Sequence, residues 1–170
     1  MSKTNVLREF TAENHRHSTC VAEALNAAEQ TCRKQGHRLT PTRRRVLELV
    51  WDSHALVKAY DLLEVLRQEK KGAAPPTVYR ALDFLQQQGF VHKIASLNAY
   101  IGCGAPGHEG SGQILICQSC SEVAEMDDPE IIELIAIKSR KLGFAITSQI
   151  IEVEGLCSGC RTGGRKAKAV

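Results

Sequence analysis

Residues 75–93 read PPTVYRALDFLQQQGFVHK, and the fold of the first half of the chain turns on them. Pro75-Pro76 opens a helix, because proline suits a first turn whose amides have no partner anyway. Val78, Ala81, Leu82 and Leu85 recur at helical spacing and predict its inward face, and Gly89 ends it. Two β-prone runs follow, Phe90–Ile94 and Ala99–Ile101, joined by Ser96-Leu97-Asn98. Upstream, Val21, Ala24, Leu25, Ala28 and Cys32 form a helical stripe that ends at Gly36. A second helix starts at Thr40-Pro41, where threonine can cap free amides, and buries Val46, Leu47, Val50 and Trp51. A third, about Ala59 to Glu69, buries Leu62, Leu63, Val65 and Leu66. Helices followed by a hairpin predict a winged helix.

In that arrangement the fourth helix turns Thr77, Tyr79, Arg80 and Gln87 away from the core. These groups can bond phosphates and base edges, and arginine can make a paired contact with guanine. Tyr60, at the start of the preceding helix, can add an apolar or hydroxyl contact. Lys58, Arg43, Arg44 and Lys93 are candidate phosphate neutralisers. For any one of them the alternative is an exposed side chain with no task.

Charge divides the chain in the same place. Residues 1–98 carry 15 Lys/Arg against 10 Asp/Glu, residues 99–160 carry 3 against 9, and residues 161–170 carry 4 against none. The net +3 therefore conceals a basic half suited to a polyanion and an acidic half with another task. Met1–Phe10 has polar residues where an export signal has its apolar core. The most apolar stretch, Ile131–Ile137, is short and broken by Glu133, so no membrane segment is expected. Seven cysteines without an export signal predict a reducing, cytoplasmic setting, in which CxxC reads as metal ligand before disulfide. Cys20 and Cys32 are expected as small apolar residues of the first helix.

Cys117/Cys120 and Cys157/Cys160 form two CxxC pairs separated by 36 residues. That is the ligand pattern of a structural tetrathiolate zinc site, weighed against paired disulfides and ordinary buried cysteines. A zinc ribbon has a gap of about 15–20 residues, so these knuckles clamp the ends of a small folded unit. Between them Val123–Met126 can extend, Asp128-Pro129 starts a helix with a broad isoleucine-rich surface up to Gly143, and Phe144–Val153 alternates as a strand. With Ile114–Ile116 this predicts a small sheet bearing one helix. So small a unit needs a staple and a partner, which zinc and a second subunit supply.

RLTPTR at Arg38–Arg43, PPTVYRALDFLQQQGFVHK at Pro75–Lys93 and the two CxxC pairs together resemble the ferric uptake regulator family, and within it the zinc uptake branch. The resemblance runs from about Glu23 to Cys160. It implies a homodimeric bacterial repressor with an N-terminal winged helix and a C-terminal α/β dimerisation domain, binding operator DNA when loaded with metal. By the match of motifs it places base contacts at Tyr60 and Arg80. The first eighteen or so residues and the tail from Gly163 have no counterpart.

Four further potential ligands stand around the boundary of the halves: His92, Cys103, His108 and Glu125. One ion among them could fix the relation of the two domains. His92, Cys103 and Glu125 match the regulatory site of the zinc branch, while the glycine-rich loop of His108 is shortened, with Glu109 a substitute for Glu125. Two imidazoles, a thiolate and a carboxylate suit tetrahedral zinc, whereas a ferrous or manganous sensor is expected to avoid the soft sulfur. Singly, each has a plain reading as a surface or buried side chain.

The fold class expected is α+β: residues 1–19 an extension, 20–95 the winged-helix DNA-binding domain, 96–104 the wing end and hinge, 105–160 the zinc-stapled dimerisation domain, and 161–170 a basic tail. The function expected is a zinc-responsive repressor of zinc uptake genes, carrying two Zn2+ per subunit and binding palindromic double-stranded DNA as a homodimer, not an enzyme. An iron- or peroxide-responsive regulator of the same family, or a zinc-ribbon interaction or storage module, is the alternative.

Overall fold

The computed structural model describes residues 5–10, 17–52, 56–69, 72–104, 112–147 and 149–163. Along the chain the elements are β1 (Asn5–Arg8), α1 (His17–Lys34), α2 (Pro41–Asp52), α3 (Ala59–Glu69), α4 (Pro75–Gln87), β2 (Val91–Ile94), β3 (Ala99–Gly102), β4 (Gln113–Cys117), β5 (Val123–Asp127), α5 (Pro129–Lys141), β6 (Ile151–Gly155) and α6 (Ser158–Arg161). They form two compact units, Ala12–His108 and Met1–Thr11 with Glu109–Val170.

The helical unit is built as its apolar spacing requires. Ala28, Cys32, Val46, Leu47, Val50, Leu62, Val78, Leu82, Leu85 and Phe90 make one continuous core. Val65 and Trp51 are only half-buried, and so is Cys20. Gly36 and Gly89 take positive φ, 71° and 68°, the left-handed turn that closes a helix without a Cβ clash. At the second helix the Arg43 N–H reaches Thr40 Oγ1 at 3.4 Å, a long cap, and Pro41 occupies the first turn. Strands β2 and β3 pair antiparallel with His92 opposite Ile101, completing helices plus wing. An isolated bridge, Val57 to Tyr100, adds a third short edge to the hairpin.

The second unit is a four-stranded sheet in the order β1-β5-β4-β6. Strand β4 pairs antiparallel with β5 and parallel with β6. Parallel neighbours need a crossover, and α5 makes it. This explains the wide gap between the cysteine pairs. Asp128 accepts from the Glu130 N–H at 2.9 Å and caps α5 ahead of Pro129.

Two expectations change here. The strand foreseen over Phe144–Val153 starts only at Ile151, because the chain leaving α5 first completes the helix cap. Gly143 turns left-handed at φ 69° and the Phe144 N–H donates back to the Ser139 carbonyl at 3.0 Å. Residues 5–8, set aside in the sequence as part of an extension, are a strand paired antiparallel with β5.

Candidate metal centres and nucleic-acid surface

The four paired cysteines converge as their spacing predicts. Cys117 ends β4, Cys120 follows in the adjoining turn, Cys157 precedes α6 and Cys160 lies within it. Two local devices aim the sulfurs. Ser121, left-handed at φ 59°, closes the first knuckle, with its N–H bonded to the Cys117 carbonyl at 2.8 Å. The Cys157 N–H donates to Cys117 Sγ at 3.4 Å, and the Gln118 N–H to the Gly155 carbonyl at 2.9 Å, joining one knuckle to the other.

All four sulfurs lie within 4.8 Å of one another, and Cys120 Sγ stands 3.8 Å from Cys157 Sγ. Four ligands at Zn–S distances of about 2.3 Å in a tetrahedron are separated by roughly 3.8 Å. A disulfide would need about 2.05 Å, and none joins the described cysteines. The donor set therefore fits zinc and excludes the disulfide reading. Burial pushes the Cys117 thiol up, but the N–H groups of Cys157, Cys120 and Ser119 outweigh it and hold the group down at about 6. Cys120 goes the other way, pushed up to about 12 by burial and by the neighbouring sulfurs. Without a cation, thiolates this close cannot all ionise.

Of the second ligand group, His92 lies in β2 and Cys103 just beyond β3. A ring nitrogen of His92 and Cys103 Sγ lie within 4.8 Å of one another. The Cys103 N–H donates to the Phe90 carbonyl at 3.0 Å, fixing the thiol, fully buried, at the root of the wing. Glu125 lies in β5 of the other unit. It is a buried carboxylate, 3% exposed, lying so close over Gly112 that a Cβ there would stand 3.1 Å from its Oε1. His108 and Glu109 fall outside the described residues.

The proposed DNA face is exposed. Thr77, Tyr79, Arg80 and Gln87 all point outward on α4, and Tyr60, at the start of α3, is 62% exposed. Lys58 is exposed immediately before α3, and its carbonyl accepts the Asp61 N–H at 3.1 Å. The N-terminal ends of α2 and α4 border a cavity of about 250 Å³ lined by Thr40, Thr42, Arg43, Thr77, Arg80 and Ala81.

Arg43 differs from a free surface cation. Its guanidinium lies 3.5 Å over the Phe84 ring, and its Nη1 donates to the Arg38 carbonyl at 2.8 Å. Arg44, read in the sequence as a phosphate neutraliser, pairs with Glu29 at 3.1 Å, and Arg45 pairs with Glu48 at 2.8 Å and with Glu69. Of these three consecutive arginines only Arg43 lines the cavity. Sequence reasoning missed Phe84 as its platform. It placed Trp51 on the buried face of α2 without foreseeing that its indole lies against Gly102, next to Cys103.

The ferric uptake regulator family matches residues 34–154, a span that takes in α2 to α5, all but the last residue of β6, and five of the seven candidate metal ligands among the described residues: His92, Cys103, Cys117, Cys120 and Glu125. The zinc uptake regulation protein of Escherichia coli K12 is 41% identical over 145 residues, 84% of each chain. A solved zinc uptake regulator in complex with zinc and DNA superposes with a TM-score of 0.79 at 39% identity, covering 84% of this chain and 96% of that one. The holo form of the regulator XcZur superposes at 0.77 with 40% identity, covering 86% and 99%. Matched by the family model over most of its length and 41% identical to a relative across 84% of both chains, this chain belongs to the ferric uptake regulator family.

Proposed function

We propose that the chain is a zinc-responsive transcriptional repressor of zinc uptake genes, which binds palindromic double-stranded operator DNA as a homodimer. The observation that carries the reading is the pairing of the Cys103 thiol with a His92 ring nitrogen at the root of the wing. A soft sulfur beside an imidazole selects zinc over ferrous or manganous ion, and it stands on the hairpin that follows α4. Relatives support it: the E. coli protein is named for zinc uptake regulation, and a structural neighbour was solved with zinc and DNA.

Two Zn2+ per subunit fit the donors. Cys117, Cys120, Cys157 and Cys160 belong to one unit and hold a permanent ion that completes its fold. His92 and Cys103, with Glu125 and His108 as the remaining ligands, take an exchangeable ion with a summed charge near zero. Ligands drawn from both sides of the hinge make occupancy report on zinc supply. The loaded dimer then presents its two α4 helices about 34 Å apart, one turn of DNA. Arg80 and Tyr60 read bases, while Thr77, Tyr79, Lys58 and Arg43 serve the backbone.

A partner subunit has a surface to cover. Leu134, Ile137, Phe144, Ile150, Val153 and Leu156 are all more than a third exposed in the single chain, and α5 buries none of its residues. Large apolar side chains left exposed in this unit support a twofold dimer that covers them. The chain is a regulator and not an enzyme, because its ligand groups serve binding and it has no HExxH-type base on a helix. Its setting is the cytoplasm, where zinc, reduced thiols and DNA meet; among the described residues no helix is long and apolar enough to cross a membrane.

The test is operator binding by fluorescence anisotropy at fixed salt under buffered free zinc. Affinity is expected to rise with zinc and to lose that response in His92→Ala and Cys103→Ser, both folded. Equal affinity with and without the exchangeable ion overturns the reading.

A further inference from the structure

The N-terminal strand does more than extend the sheet. β1 pairs along β5 with Asn5 opposite Asp127, Val6 opposite Met126 and Arg8 opposite Glu125, with a break in register between Val6 and Arg8. Two residues beyond β1, half-buried Phe10 packs against the cluster of Cys117, Cys120 and Cys157, where Cys160 also packs. Cys160 is the one sulfur of the four that is not buried. A phenyl ring has no bond to offer a metal. What it supplies is an apolar wall, which lowers the access of water and incoming ligands to the centre behind it.

We infer that Phe10 is a further residue of the tetrathiolate centre, delivered by β1, which shields the sulfurs from attacking ligands and electrophiles. The inference rests on the zinc assignment of the four cysteines for its metal arm only. Thiolate centres lose zinc when a competing ligand reaches the ion or when an electrophile captures a sulfur, and both need an open approach. Strand pairing makes the wall a stable one. An unpaired segment would sweep a wide volume, whereas hydrogen bonding along β5 holds Phe10 two residues from a fixed anchor. It also covers the β5 edge, which would otherwise offer unpaired backbone groups to another chain.

The experiment uses the full zinc-loaded chain and the variants Phe10→Ala, Phe10→Leu and Val6→Pro. Excess 4-(2-pyridylazo)resorcinol takes up released zinc, and its absorbance gives the rate; the slow phase is assigned to the tetrathiolate centre by its loss in Cys117→Ser. Phe10→Ala is expected to accelerate that phase roughly tenfold to a hundredfold, the scale of outer-shell effects on metal sites. Phe10→Leu keeps apolar bulk and stays near the parent, while Val6→Pro undocks the strand and follows Phe10→Ala. A second arm treats the metal-free, reduced chain with iodoacetamide: a cysteine thiolate attacks the methylene carbon, a carbon–sulfur bond forms and iodide leaves, read by mass spectrometry at each cysteine. Phe10→Ala is expected to speed labelling at Cys160, Cys120 and Cys157.

Unchanged rates in both arms for Phe10→Ala overturn the inference. So does acceleration shared by Phe10→Leu in step with a lower melting temperature, since that marks general loosening. A parent chain with no chelator-resistant zinc defeats the zinc assignment alone, and the alkylation arm still decides the shielding role.

Discussion

Gly102→Ala adds one methyl group at the tightest point beside the wing. The new Cβ would stand 2.5 Å from both Cε2 and Nε1 of Trp51 and 2.9 Å from Cδ2. Carbon atoms in contact prefer about 3.5–4.0 Å, so the indole or the strand must retreat by roughly 1 Å. A fused ring packed on the helical core cannot fold away as a lysine tip can. Overpacking of this kind costs about 1–3 kcal/mol. The sign is diagnostic, because at a strand position with no positive φ the same change would otherwise stabilise by about 0.4–1 kcal/mol through the unfolded chain. For a chain this long each kcal/mol moves the midpoint by about 2–4 °C, giving an expected fall of roughly 2–12 °C. Thermal melts followed by far-UV circular dichroism measure the midpoint, and urea melts the free energy. Trp51→Leu makes room, so the double variant Trp51→Leu/Gly102→Ala should be more stable than the sum of the single changes predicts, by about 1 kcal/mol or more. Since Cys103 follows directly, Gly102→Ala should also weaken zinc uptake at the His92–Cys103 pair. A Gly102→Ala protein within about 0.5 kcal/mol of the parent, or a cycle that is strictly additive, would refute the reasoning.

Three further outcomes follow from other parts of the molecule. Cys157→Ser should lower metal content by one zinc per subunit and depress the thermal midpoint; full occupancy by elemental analysis would remove Cys157 from the ligand set. Arg43→Lys keeps the charge but loses the flat stack on Phe84 and the fork to the Arg38 carbonyl, so operator affinity should drop by about 1 kcal/mol with the salt dependence unchanged. A fall in the slope of log affinity against log salt by about 0.9 per site lost would instead mean that the phosphate contact of Arg43 depends on its guanidinium geometry and not on its charge alone. Zinc loading of the metal-free tetrathiolate centre should release protons: at neutral pH Cys117, held down at about 6, is already a thiolate, while Cys120, pushed up to about 12, and Cys160, also raised, must still give theirs up. Affinity therefore rises with pH until those groups ionise unaided. Calorimetry in buffers of different ionisation enthalpy counts the protons, and a count of zero contradicts the assignment.

The sequence carried the helical unit because its apolar positions repeat cleanly and its punctuation is strong. Pro41, Pro75, Gly36 and Gly89 bound helices whose inner faces, Val46-Leu47-Val50 and Val78-Ala81-Leu82-Leu85, are buried as their spacing requires. The cysteine pairs were legible for a different reason: two knuckles with fixed internal spacing leave few ways to arrange four sulfurs. What stayed hidden is long-range or too short to be periodic. Asn5–Arg8 has four residues and an exposed outer half, so its partner β5, not its pattern, makes it a strand. Phe144–Ile150 alternates well, yet the cap at Gly143 takes up its first backbone bonds and pairing begins at Ile151. Contacts such as Arg43 on Phe84, Trp51 on Gly102 and Phe10 on the sulfurs join side chains from distant positions, and no local spacing encodes them.

The parallel pairing of β4 with β6 has a wider consequence. Cys117 stands opposite Gly155 in the register, so the two knuckles begin from facing ends of neighbouring strands, about 4.8 Å apart. Their separation in space is thus dictated by the backbone lattice, while their separation along the polypeptide has only a lower bound, the length that a parallel crossover needs. Residues could be inserted into or deleted from the loop that crosses over with α5 while the coordination geometry stayed constant. Descendants of this architecture can therefore vary widely in the interval between their cysteine pairs and still close the same clasp, so that interval is a poor ruler for recognising the site.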